Sequence, residues 1–108
     1  MATATPSVLQ ANTVTCGPAS SITGGLRSAP TPGNLVVAAF FQNDGTEATL
    51  HGPAGWNYIG RVANGVGDVD IALYWHVVAS GEANAYTFTG GGPGMPRSLG
   101  LNLTEIGG

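Results

Sequence analysis

The chain has 108 residues, of which 8% are charged, with no lysine and a formal net charge of −3. Ordinary soluble domains carry about 25% charged residues, and three arginines against six acids leave no basic stripe to neutralise a phosphate backbone, so no nucleic-acid partner is expected. No segment approaches the ~20 apolar residues that span a bilayer, and Met1–Gln10 lacks the basic start and apolar core of a signal peptide, so no membrane partner is expected and the protein is taken to fold in the cytoplasm where it is made.

This length suits one domain that buries roughly two-thirds of the surface of its unfolded chain. The scarcity of charge has two readings. Either the surface is covered by neighbours in an assembly, or it is kept polar by Thr, Ser, Asn and Gly. The division expected is an N-terminal arm and first strand over 1–16, then a single β-sandwich domain over 17–108.

Eighteen glycines and seven prolines break the chain too often for an amphipathic helix of useful length. Residues 7–16 form a first extended segment with Val8, Val14 and Cys16 inward, and a polar loop after it holds a strand near Ser21–Thr23. Pro30, Pro32 and Gly33 mark a turn. Leu35–Phe41 is apolar on both faces, the pattern of a central strand covered on each side. Asn43-Asp44-Gly45 is a turn signal, Glu47–His51 alternates weakly, and Gly52–Gly55 breaks the chain before a strand over Trp56–Val62. After a turn at Asn64–Asp68, the stretch to Val78 alternates with Val69, Ile71, Leu73, Trp75 and Val77 on one face. That face is expected to pack inward, with Trp75 in the core and Tyr74 exposed. Ala79–Asn84 turns the chain into Ala85–Thr89, which shares Tyr86 and Phe88 on one face. The loop GGGPGMP over 90–96 leads to a last strand, Ser98–Ile106, with Leu99, Leu101 and Leu103 inward. Strands at this spacing predict an all-β fold, a two-sheet antiparallel β-sandwich of jelly-roll or immunoglobulin-like type.

Four stretches carry a resemblance: Gly33–Ala39 (GNLVVAA), Gly52–Trp56 (GPAGW), Ile71–Val77 (IALYWHV) and Ala85–Thr89 (AYTFT). In this order they resemble a β-sandwich domain common in bacteriophage structural proteins, over about residues 30–106. Ala54 stands where that family usually has serine, and His76 where lysine is common. The resemblance implies a virion role in head, tail or fibre and leaves open which.

The candidate chemistry is sparse. His51 and His76 lack the paired spacing of a zinc site and Cys16 stands alone, so neither metal nor cofactor is expected. Asp68 and Asp70 share a strand face, as a glycosidase pair or calcium site would, but glycines 65 and 67 beside them suggest a solvated turn. No Gly-x-Ser-x-Gly element is present. The expectation is a protein that is not an enzyme.

The leading expectation is a capsid decoration or cement protein, placed on the outer capsid surface of a virion, with the major capsid protein and copies of itself, as a trimer, for partners. Its N-terminal segment, Met1–Val14, is taken as an arm that orders on docking. The expected partner contacts are Val8, Leu9, Val14, Tyr58 and Tyr74. The alternative is a tail-fibre or tail-tip module that binds a glycan receptor through Tyr58 and Tyr74 with Asn57 and Asp70.

Overall fold

The computed structural model describes residues 5–42, 50–63, 70–90 and 97–107. The turns expected at 43–45 and 64–68, the segment 47–49, Asp68, Val69 and the loop 91–96 lie outside the described residues. Seven strands, β1 (Ser7–Ala19), β2 (Ser21–Gly24), β3 (Leu35–Gln42), β4 (Asn57–Ala63), β5 (Asp70–Val77), β6 (Tyr86–Thr89) and β7 (Arg97–Gly107), account for the regular structure, and no helix occurs among the described residues. The chain is all-β, with two antiparallel sheets: five strands in the order β1-β7-β3-β5-β4, and the pair β2-β6.

β3 sits in the middle of the larger sheet, as its two apolar faces require, hydrogen-bonded to β7 on one side and β5 on the other. Its inward residues Val36, Ala38, Phe40 and Gln42 are fully buried, while Leu35, Val37, Ala39 and Phe41 on the reverse face are only half-buried. β7 buries Leu99, Leu101 and Leu103 on the same inner side, and β6 buries Tyr86 and Phe88 against them from the small sheet. The rings of Phe40 and Phe88 meet across the two layers with centroids 5.5 Å apart. The small sheet approaches closely because Gly24 has no side chain: a Cβ there would lie 2.9 Å from Val14 and 3.3 Å from Leu101.

The inner face of the large sheet ends in two polar arrangements, both saturated with hydrogen bonds. At one corner, buried Glu105 accepts from Gln10 Nε2 (2.8 Å), the Thr31 N–H (2.8 Å) and Asn34 Nδ2 (2.9 Å). At the other, Asp70 is fully buried and binds the Arg61 guanidinium through Nε (2.8 Å) and Nη2 (2.5 Å). Asp70 therefore does not belong to a solvated turn, as glycines 65 and 67 had suggested; it is the buried half of an ion pair between β4 and β5.

The first strand also differs from expectation. β1 extends from Ser7 through Ala19 and pairs with β7 within the chain, so Ser7–Val14 is part of the sheet and not an arm awaiting a partner. Val8 does not face inward: a register shift between Val8 and Gln10 places it opposite Ile106 on the reverse face, where it is 64% exposed. Val14 and Cys16 do pack against the core.

Candidate functional site

Strand alternation assigns each residue of the large sheet to one of two faces. In β5 the structure reverses the expected phase. Asp70, Ala72 and Tyr74 point inward, and Ile71, Leu73, Trp75 and Val77 point outward. Tyr74 is only 5% exposed and its hydroxyl donates to the Leu50 carbonyl at 3.0 Å, so it is a core residue; Trp75, expected in the core, is 37% exposed. The cause is visible in the inner row: Ala72 is small enough to leave room beside Phe40, Asp70 is neutralised by Arg61, and Tyr74 finds a carbonyl for its hydroxyl. These three satisfy burial without being the most apolar set on the strand.

The registers then place the outer face in four rows across the sheet. One row runs Val8, Ile106, Leu35, Val77; the next Ala11, Thr104, Val37, Trp75, Asn57; the third Thr13, Asn102, Ala39, Leu73, Gly60; the last Thr15, Gly100, Phe41, Ile71, Val62. Over β3, β5 and the end of β4 this face is continuous hydrocarbon and aromatic surface, with Val62 69% exposed. Phe41 lies across Gly100, where a Cβ would fall 2.0 Å from its ring, so the glycine flattens the face under an aromatic plate. No row contains an aspartate, glutamate, lysine, arginine or histidine. Apart from Asn57 at the β4 edge, its polar residues lie on β1 and β7, and three of them are bonded together: Asn102 Nδ2 donates to Thr13 Oγ1 (2.9 Å) and Thr104 Oγ1 to Asn102 Oδ1 (3.1 Å).

Of the expected contact residues, Val8 belongs to this face and Leu9 is exposed in the adjoining bulge of β1. Val14 and Tyr74 are on the inner side, and Tyr58 is an exposed ring beside Tyr74, with centroids 5.6 Å apart. The five do not form one surface. Leu35, Val37, Phe41, Ile71, Leu73, Trp75 and Val62 are not among the expected contacts, although the apolar half of the 69–77 alternation marks Ile71, Leu73 and Trp75, and the second apolar face of β3 marks Leu35, Val37 and Phe41.

Tyr58 and Tyr74 instead border an open depression of about 320 Å³ shared with His51, Pro53 and Trp56. Behind Trp56 lies a polar cluster. The indole stacks on His76 with centroids 4.9 Å apart, and Glu82 accepts from His76 Nε2 (2.6 Å), the Tyr86 hydroxyl (2.6 Å) and the Ala79 N–H (3.1 Å). Burial pushes Glu82 upward, but these three donors outweigh it and hold the carboxyl below its ordinary value; the same carboxylate and burial raise the Tyr86 hydroxyl. The Glu82–His76 pair ties the loop after β5 to the strand itself. Asp70 is enclosed, and Asn57, though exposed, pairs with Trp75 on the outer face while Tyr58 pairs with Tyr74 on the inner one, so the two do not stand beside Tyr58 on one face. The described residues contain no cluster of three or more His, Cys, Asp or Glu that could hold a metal, and no helix long and apolar enough to cross a membrane.

Comparisons with protein-family models, with curated proteins and with solved structures find no match for this chain.

Proposed function

We propose that this chain is a non-enzymatic structural protein that works inside a protein assembly, specifically a decoration subunit that binds the outer surface of a phage capsid as a homo-oligomer and stabilises the shell. The observation that carries this reading is the uncharged apolar outer face of the large sheet. A monomer that left such a face in water would expose a contiguous apolar patch of the kind that marks interaction sites. The scarcity of charge in the whole chain supports it as well, as does the resemblance of its motif order to that of phage β-sandwich proteins. The sandwich is taken as a jelly-roll or immunoglobulin-like variant, supported by the passage of the chain between sheets from β1 to β2 and from β6 to β7.

Stabilisation needs no chemistry. A subunit that binds the assembled shell and not its dissociated components raises the shell's stability by mass action. Val8 and Leu9, exposed in the bulge of β1, are the side chains offered to the shell. Added to bare particles of its own virus, the protein binds saturably and raises their disruption temperature, and the double variant Val8→Ser, Leu9→Ser binds at least tenfold more weakly. Failure of the wild type to bind removes the reading.

A second reading is supported by the depression lined by His51, Trp56, Tyr58 and Tyr74, since aromatic faces stack on the apolar faces of sugars. A tail-tip module would use Tyr58, the exposed ring of the set. Glycan-array binding that disappears in Tyr58→Ala favours it over shell decoration; an empty array sets it aside.

A further inference from the structure

We infer that the outer face of the large sheet is covered by a second copy of this chain, the two sheets packing face to face about a two-fold axis. This rests on the reading of the protein as an assembly subunit and names the first partner in that assembly.

Three observations select a second copy over other occupants. The first is charge. All four rows of the face lack ionisable side chains, so a charged partner finds nothing to match, and a partner that does bring charge buries it unpaired at a cost of several kcal/mol. Another copy of the same face brings no charge by construction. The second is hydrogen bonding. The strands satisfy one another's backbone groups, and Thr13, Asn102 and Thr104 are bonded among themselves. A partner recognised through directional polar contacts is therefore not served, whereas one recognised through packing is. The third is area. The four strands β7, β3, β5 and β4, at about 4.8 Å spacing and eight residues of about 3.3 Å rise, give a footprint of roughly 500 Å². Two such faces bury on the order of 1,000 Å², the size at which specific interfaces begin.

A two-fold axis lying between β3 and β5 sets β3 of each copy against β5 of the other. Leu35, Val37 and Phe41 then meet Ile71, Leu73, Trp75 and Val77, which is the isologous contact closed dimers use. Sheets so packed keep a spacing of about 10 Å and cross at roughly 30°. The polar strand β1, with Thr13 and Thr15, falls at the rim. Three faces around a three-fold axis would each wedge against two neighbours and leave part of the flat surface open, so the geometry favours two copies over three.

The test is the solution mass of the full chain by sedimentation equilibrium, with Leu73→Glu at the centre of the face, Val62→Glu on its edge strand, and Thr23→Glu on the small sheet as a control. Far-UV circular dichroism checks that each is folded, and Val62→Glu, altering a side chain already 69% exposed, serves if Leu73→Glu does not fold. The wild type and Thr23→Glu sediment at twice 10.8 kDa, and the folded face variants dissociate at least 100-fold more readily. A wild-type monomer or trimer overturns the proposal, as does a dimer indifferent to both face variants. Shell binding separates this failure from that of the capsid reading. A monomer that binds shells through Leu73 overturns the second copy and keeps the capsid role; a face-dependent dimer that ignores shells does the reverse.

Discussion

Phe40→Ala destabilises the fold by about 3–5 kcal/mol, the range for deleting a fully buried phenylalanine where the surroundings cannot collapse into the space. Collapse is prevented here by what surrounds the ring. Its flanking residues on the neighbouring strands are Leu101 and Ala72, both held in register by backbone ladders, and Phe88 of the small sheet rests on it. Gly90 also approaches, its absent Cβ lying 3.1 Å from the ring tip, so the cavity would open between the two sheets. Total stabilities of 5–15 kcal/mol are usual for a domain, so a loss of this size consumes a large part of the margin. Differential scanning calorimetry at fixed protein concentration should show a fall in Tm on the order of 15 °C; a fall under a few degrees would mean that the two layers close over the gap.

Glu105→Ala is the second large loss, about 3 kcal/mol at neutral pH, because one substitution removes the shared acceptor of the Thr31 N–H and the Asn34 amide and leaves Gln10 Nε2 only its bond to the Ser28 carbonyl. Burial by itself would raise the Glu105 carboxyl, but the hydrogen bonds from Gln10, Asn34 and Thr31 overcome it and hold the group below its ordinary value. A carboxyl lowered on folding contributes stability that is fully present above its unfolded value, near 4.5, and is lost as pH falls through the lower folded value. The gap between wild type and Glu105→Ala in urea unfolding is therefore widest above pH 5 and narrows in acid. A gap that did not change with pH would show that the carboxylate's charge plays no part. Glu82 is lowered in the same direction and is present in both proteins, so the comparison isolates Glu105.

Much of the fold was legible in the sequence wherever the most apolar side chains of a strand are also the buried ones. β6 and β7 are of this kind: Leu99, Leu101 and Leu103 are inward as expected, and Tyr86 and Phe88, expected to share one face, share the buried one. β3 announced its central place by being apolar on both faces. β5 failed for the opposite reason. Hydrophobicity sets the phase of an alternation only if one face meets water, and on β5 the apolar set Ile71, Leu73, Trp75 and Val77 lies outside while an acid, an alanine and a tyrosine lie within. Nothing local distinguishes the two phases. What decides them is Arg61 arriving on β4 and Leu50 offering a carbonyl, contacts that only tertiary structure supplies. The bulge of β1 is likewise silent in sequence, and it alone turns Val8 from the inner face to the outer.

The last of the seven strands, β7, is the second in the sheet, lying between β1 and β3, so β1 joins the sheet only through a partner far along the chain, as in the pairing of Val8 with Ile106. During synthesis the first strand has nothing to pair with, and one edge of β3 stays open, until β7 has been made. Closure of the sheet is thus dominated by non-local contacts, a topology that folds in milliseconds to seconds. Throughout that interval Phe41, Leu73 and Trp75 are displayed on an unfinished sheet, which makes the nascent chain prone to aggregation and gives chaperones their natural point of contact.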